Sequence, residues 1–152
     1  MHVIYNLVLS LWIGGIAIFT FIITPVIFKS FNRDMAGTIV GKLFPGYFWF
    51  NLILSIIALI LILFAGLSFA KAGYKISLVL IVLSLIMNIY ITFKLHPDVI
   101  EVKRDIHSFE AKTVDPSLKS KFGKLHAISA SLNLLLLANG AALLIISTTL
   151  RK

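Results

Sequence analysis

Residues 43–70 read LFPGYFWFNLILSIIALILILFAGLSFA, without one Asp, Glu, Lys or Arg. At 1.5 Å rise per residue, about 20 residues cross a hydrocarbon core of about 30 Å, so this stretch is long enough to span a bilayer as a helix. In lipid only a helix or a closed barrel pairs every backbone N–H and C=O. A barrel strand would alternate apolar with polar residues, and this run does not. Three further runs, 1–28, 76–93 and 125–150, are equally free of those four residue types. The pattern predicts an all-α integral membrane four-helix bundle, one transmembrane domain over 1–152. The expected spans are 3–28, 44–70, 75–95 and 125–149.

Composition agrees. Of 152 residues 59% are hydrophobic and 13% charged, and the mean hydropathy is +1.02, whereas a soluble domain carries about 25% charged residues. The sequence has no cysteine, which excludes a disulfide framework, iron–sulfur ligation and thiol catalysis. The net charge of +8 would suggest nucleic acid in a soluble protein. Here the basic residues sit between apolar runs, where membrane insertion accounts for them, so no nucleic-acid partner is expected. The first run lacks a basic start and a small-residue cleavage site, and is expected to stay in the mature protein.

Lys29, Arg33 and Lys42 lie in the first loop and seven Lys/Arg lie between Lys94 and Lys124, against Lys71, Lys75, Arg151 and Lys152 on the other side. The bias predicts a multi-pass protein of the cell membrane with both termini outside. Tyr47, Trp49 and Tyr74 fall near the expected interfaces, as an aromatic belt would have them. In the third loop, 97–124, Val99, Val102, Ile106 and Phe109 recur at helical spacing with Glu101, Lys103, Arg104, Asp105 and Glu110 between them. That reads as an amphipathic interfacial helix. Asp115 and Pro116 read as the N-cap and first position of the last helix.

Inside the spans the informative residues are the polar ones, since each needs a partner or a cavity. Asn6, Ser10, Gly14 and Ala17 form a helical stripe on the first span, and Asn51, Ser55, Ala58 and Gly66 on the second. Ser77, Ser84, Asn88, Thr92 and His96 do so on the third, and His126, Ser129, Asn133 and Gly140 on the fourth. Four such faces turned inward give the bundle. Counting from the span ends places Asn51, Asn88 and Asn133 at one depth, about 10 to 12 Å below the boundary. His96 and His126 would lie above them, with Thr20, Thr24 and Pro25 approaching from the first span. The candidate polar pocket is therefore Asn51, Asn88, Ser129, Asn133 and Asn139, crowned by His96 and His126 as candidate cofactor ligands. The bland alternative is that these side chains are packing and hydrogen-bonding glue between helices. No carboxylate lies within a span and Met1, Met35 and Met87 form no cluster, so no metal site and no catalytic residue is expected.

Trp12-x-Gly14-Gly15, Pro25-x-x-Phe28, Ala36-Gly37, Lys42-Leu43-Phe44-Pro45-x-Tyr47-Phe48, Asn88, Pro97, Phe122-x-x-x-His126-x-x-Ser129-x-x-x-Asn133 and Asn139-Gly140 together resemble the transmembrane protein 205-like family, also called domain of unknown function 4149. The Trp-Gly-Gly element is also similar to copper-resistance D-type membrane proteins. The resemblance implies a four-helix membrane protein without an established reaction, and singles out Pro25, Pro45, Asn88, His126, Ser129, Asn133 and Asn139. Members of the family often carry a first-span histidine where this chain has Tyr5 or Asn6; unless His2 replaces it, a first-helix ligand is lost, which weakens a haem reading. The expected function is a non-enzymatic, transporter-like unit or accessory subunit without a cofactor, in contact with the lipid bilayer and working as a homo-oligomer or in a larger membrane complex. The alternative is a b-type haem or metal-binding protein, an oxidoreductase subunit using His126 with His96.

Overall fold

The computed structural model describes residues 2–65, 71–106, 109 and 115–149, and the regular elements among them are all helical. Four long helices, α1 (His2–Ser30), α2 (Arg33–Phe64), α3 (Ala72–Asp105) and α4 (Pro116–Thr149), each hold a stretch long and apolar enough to cross a membrane. The chain is an all-α four-helix bundle of membrane-protein type. Met1, Gly66, Glu110, Arg151 and Lys152, named above, lie outside the described residues.

The helix ends are set by local chemistry. Phe31 leaves α1 in an extended conformation, and the Asn32 side chain accepts the Met35 N–H at 2.9 Å, starting α2 after a two-residue turn. Asp115 caps α4 through the Ser117 N–H at 2.8 Å, with Pro116 as first helical residue. That hydrogen bond holds the Asp115 carboxyl below the usual carboxylate range.

Helices α1 and α3 each contain one π-helical turn, Phe19–Ile23 and Ile91–Leu95. In each, the carbonyl of the first residue accepts from five residues on, Thr24 to Phe19 and His96 to Ile91. Pro25 and Pro97 stand at the same spacing after the two turns. A proline has no N–H and its ring crowds the carbonyl four residues back, so the helix widens by one residue there instead of breaking. The expected amphipathic helix is consequently not a separate element. It is the end of α3, His96–Asp105, running on from the π turn. Its Val102 and Ile106 are buried against the protein, so the stripe that suggested a membrane interface packs on the bundle.

The helices follow chain order around the bundle, packing α1 on α2, α2 on α3, α3 on α4 and α4 on α1. Ile13 against Gly140 and Thr20 against Asn133 fix the antiparallel register of α1 with α4. On α2 and α3 the interior matches the expected stripe, since Asn51, Ser55, Ala58, Ser77, Ser84 and Asn88 are all buried. On α1 it does not. The interior there is Tyr5, Leu9, Trp12, Ile16 and Phe19, while Ser10 is exposed. Without a hydrophobic force between helices, association follows packing area and hydrogen bonds, and large side chains win on α1. Helix α4 is the most peripheral, with 17% of its span buried against 44% for α2.

Close approach to α1 is concentrated at two glycines. A Cβ on Gly15 would lie 2.5 Å from the Phe50 ring, and one on Gly140 would lie 2.8 Å from Ile13, whereas one on Gly14 would meet open space. Gly15→Ala should therefore force Phe50 aside and cost about 1 to 3 kcal/mol. Gly14→Ala should be neutral or stabilising by about 0.5 to 1 kcal/mol through helix propensity. Thermal unfolding of the two variants in mild detergent checks the contrast between these neighbours.

Candidate functional site

Polar side chains from three helices meet between α1, α2 and α4. The Tyr47 hydroxyl donates to Asn133 Oδ1 at 2.5 Å, and Asn133 Nδ2 donates to Thr20 Oγ1 at 2.6 Å. Phe19 stacks on the Tyr47 ring, centroids 4.1 Å apart. The π turn carries both Phe19 and Thr20. Helices α2 and α4 stand diagonally opposite in the bundle, so the Tyr47–Asn133 bond ties it across its diagonal.

This tie lines a cleft of about 280 Å³, whose walls include Phe21 and Thr24 of α1, Phe44 of α2, and His126, Ser129 and Ala130 of α4. Phe21, His126 and Ala130 are exposed, so the cleft opens sideways between α1 and α4. Thr24, Phe44 and His126 also line a second cavity of about 160 Å³ nearer the loop end. That cavity brings in Arg33, His96 and Lys103, with Phe28, Phe109 and Phe122 as aromatic walls.

Charge is concentrated at this second cavity. The Lys103 ammonium donates to the Gly37 carbonyl at 2.5 Å and lies over Gly41, whose carbonyl loses its helical donor to Pro45. Arg33 sits over the Phe109 ring at 5.0 Å. Asp34 beside them accepts the Phe109 N–H at 2.8 Å. The His96 ring meets Phe48 edge-on at 5.1 Å and Phe44 at 6.1 Å. The His126 ring lies flat against Phe122 at 6.1 Å.

The expected site is thus partly assembled and partly dispersed. His96 and His126 share one cavity, and Ser129, Asn133 and His126 share the cleft. Asn51 and Asn88 line neither. Asn51 donates to the Tyr47 carbonyl of its own helix at 3.0 Å, and Asn139 donates to Ser84 at 3.3 Å. The single depth read for three asparagines resolves into a stagger. Asn133 is level with Tyr47 and Thr20, Asn51 is one turn further along α2, and the Phe48–His96 and Trp49–Phe93 pairs put Asn88 opposite Ser55. The count from span ends assumed straight, upright helices, and a π turn inserts a residue in α3.

Tyr47, Arg33 and Lys103 were not among the candidate site residues. Tyr47 reads from sequence as a belt aromatic but is buried and hydrogen-bonded. Its signal was its place one turn before Asn51 on the same face. Lys103 flanks the Val99–Val102–Ile106 stripe, so its stem packs on the bundle and its ammonium reaches α2. Among the described residues no group of three His, Asp or Glu could hold a metal ion.

The tie has a measurable energy. Asn133→Leu leaves the Tyr47 hydroxyl without its acceptor and should destabilise the bundle by about 1 to 3 kcal/mol. A double-mutant cycle with Tyr47→Phe, read by unfolding in detergent, should return a coupling of about 0.6 to 1.7 kcal/mol, the range of interhelical bonds in membrane bundles. Additive effects would show that the two side chains do not act together.

Residues 7–108 match the profile of the family described as Domain of unknown function (DUF4149). The chain is also 31% identical over 140 residues, 91% of each sequence, to an uncharacterized protein of Aquifex aeolicus (strain VF5). No solved structure matches. The narrower resemblances to transmembrane protein 205-like and copper-resistance D-type proteins go beyond these matches. The matched segment holds Thr20, Tyr47, His96 and Lys103, and the chain belongs to the DUF4149 family.

Proposed function

We propose that the chain is a non-enzymatic, transporter-like binding unit that takes an anionic phospholipid into the gap between α1 and α4. The head sits in the Arg33–Lys103 cavity and the chains rest in the lateral cleft. What supports this reading above all is the shared wall of the two cavities. Thr24, Phe44 and His126 line both, so a cation-rich chamber and an apolar, sideways-open cleft form one amphipathic site. Among the described residues, the chamber wall includes two cations and two histidines, with Asp34 held beside it by the Phe109 N–H. Basic pockets between membrane helices are suited to anionic headgroups. The positive-inside bias puts this end on the cytoplasmic side, with both termini outside. A homo-oligomer or a larger complex would cover the peripheral α4.

A second reading, b-type haem between His96 and His126, draws on the two imidazoles lining one cavity. It ranks below the first because each imidazole packs on aromatic rings, His96 on Phe44 and Phe48 and His126 on Phe122. A Soret band in the purified protein that falls on His126→Ala would reverse the ranking.

Binding of phosphatidylglycerol, phosphatidylcholine and inorganic phosphate to the purified protein, followed by native mass spectrometry, separates the possibilities. The expected order is phosphatidylglycerol first. Replacing both Arg33 and Lys103 by Gln should weaken it about fivefold per charge removed, at about 1 kcal/mol each. Equal affinity for both lipids would sink the proposal, and tight binding of phosphate alone would make the site one for a soluble anion.

A further inference from the structure

A separate observation, independent of the lipid reading, lies along α3. Ser84, Asn88, Thr92 and His96 recur every fourth residue and so share one face, with Ser77 two turns further on. Ser77 and Ser84 are 0% exposed and Asn88 2%. Ser84 accepts from Asn139, but Ser77 Oγ, Asn88 Nδ2, Thr92 Oγ1 and His96 Nε2 are buried without a protein partner among the described residues. Across the α2–α3 seam, Asn51 Oδ1 is buried and unpartnered as well. The register of Phe48 with His96 and Trp49 with Phe93 sets Thr92 opposite Asn51 and Asn88 opposite Ser55.

Packing alone does not produce this pattern. Hydroxyls in membrane helices normally satisfy themselves on a carbonyl three or four residues back, as Ser55, Thr38 and Thr149 do. A buried polar atom without a partner in lipid costs several kcal/mol, so the four such atoms on His96, Thr92, Asn88 and Asn51 need a common partner, Ser77 lying further along the helix. The partner that fits donors and acceptors alike is water.

We infer that the α2–α3 seam holds a file of water molecules entering from the His96 cavity and ending at the Ser84–Asn139 pair. His96 to Ser84 is 12 residues, about 18 Å of helix. Beyond Ser84 the next inward position, Ile81, is fully buried, and it seals the file short of Ser77. The bundle is thus hydrated from one end to past its middle, a half-channel with a hydrophobic plug.

The natural absence of cysteine makes the test direct. Thr92→Cys, Asn88→Cys, Ser84→Cys, Ile81→Cys and the lipid-facing Ile86→Cys are made singly, exposed to silver ion in intact membranes, then denatured and alkylated to count the thiols left unmodified. The three seam positions should react at least about tenfold faster than Ile81→Cys and Ile86→Cys, because thiolate forms only where water reaches. Asn88→Cys and Ser84→Cys reacting as slowly as Ile86→Cys would overturn the half-channel, as would uniform reaction at all five. If a variant fails to fold, radiolytic footprinting of the unsubstituted protein decides. Buried Met87, 9% exposed and next to Asn88, should oxidise at a rate comparable with Met35, 52% exposed. An untouched Met87 overturns the proposal.

Discussion

In lipid a polar side chain has no water to fall back on, and the Thr20–Asn133–Tyr47 tie is where this bundle answers that constraint. The four helices pack mainly on their neighbours in chain order, an arrangement that can shear. The tie joins α2 to α4 across the diagonal and α4 to α1 at the same level, so three helices are held by one carboxamide. An asparagine suits the task because its oxygen accepts while its nitrogen donates. Gly140 and Ser147 continue the α1–α4 seam below it, meeting Ile13 and Asn6.

The tie depends in turn on the π turn at Phe19–Ile23. Widening α1 by one residue ahead of Pro25 brings Phe19 onto the Tyr47 ring and Thr20 onto Asn133. The equivalent turn in α3 precedes Pro97, and the helix beyond it presents His96 to Phe44 and Phe48 and Lys103 to Gly37. Both adjustments serve the same end of the bundle, where the cleft and the cation-lined cavity meet. A π turn within an α-helix frequently marks a functional site, and here the two turns flank the cleft and the cavity.

The fold was legible because charge-free runs of this length have one solution in lipid, and the Asp115–Pro116 start of α4 followed from the capping chemistry of those two residues. The buried faces of α2 and α3 were legible too, since Ser and Asn at helical spacing have nowhere else to go. The α1 face was not. Its stripe of small residues competed with Tyr5, Leu9 and Trp12, and sequence does not say which face wins when packing area decides. Of the residues that line the two cavities, His96, His126, Ser129 and Asn133 were singled out from sequence by their chemistry, while Tyr47 and Lys103 were hidden behind roles that tyrosines and lysines ordinarily play near a membrane interface. The stagger of the asparagines was out of reach, because it follows from π turns and helix tilt.

The gap between α1 and α4 is proposed to hold an anionic phospholipid. A photoreactive phenylalanine analogue at Ala130, which lines the cleft and is exposed, cross-linked in native membranes, tests it most directly. The expected adduct is enriched in anionic phospholipid over its share of the membrane, with no such enrichment from the same analogue at the exposed Val79. An adduct matching bulk lipid at both positions, or one consisting of a second polypeptide, would contradict it.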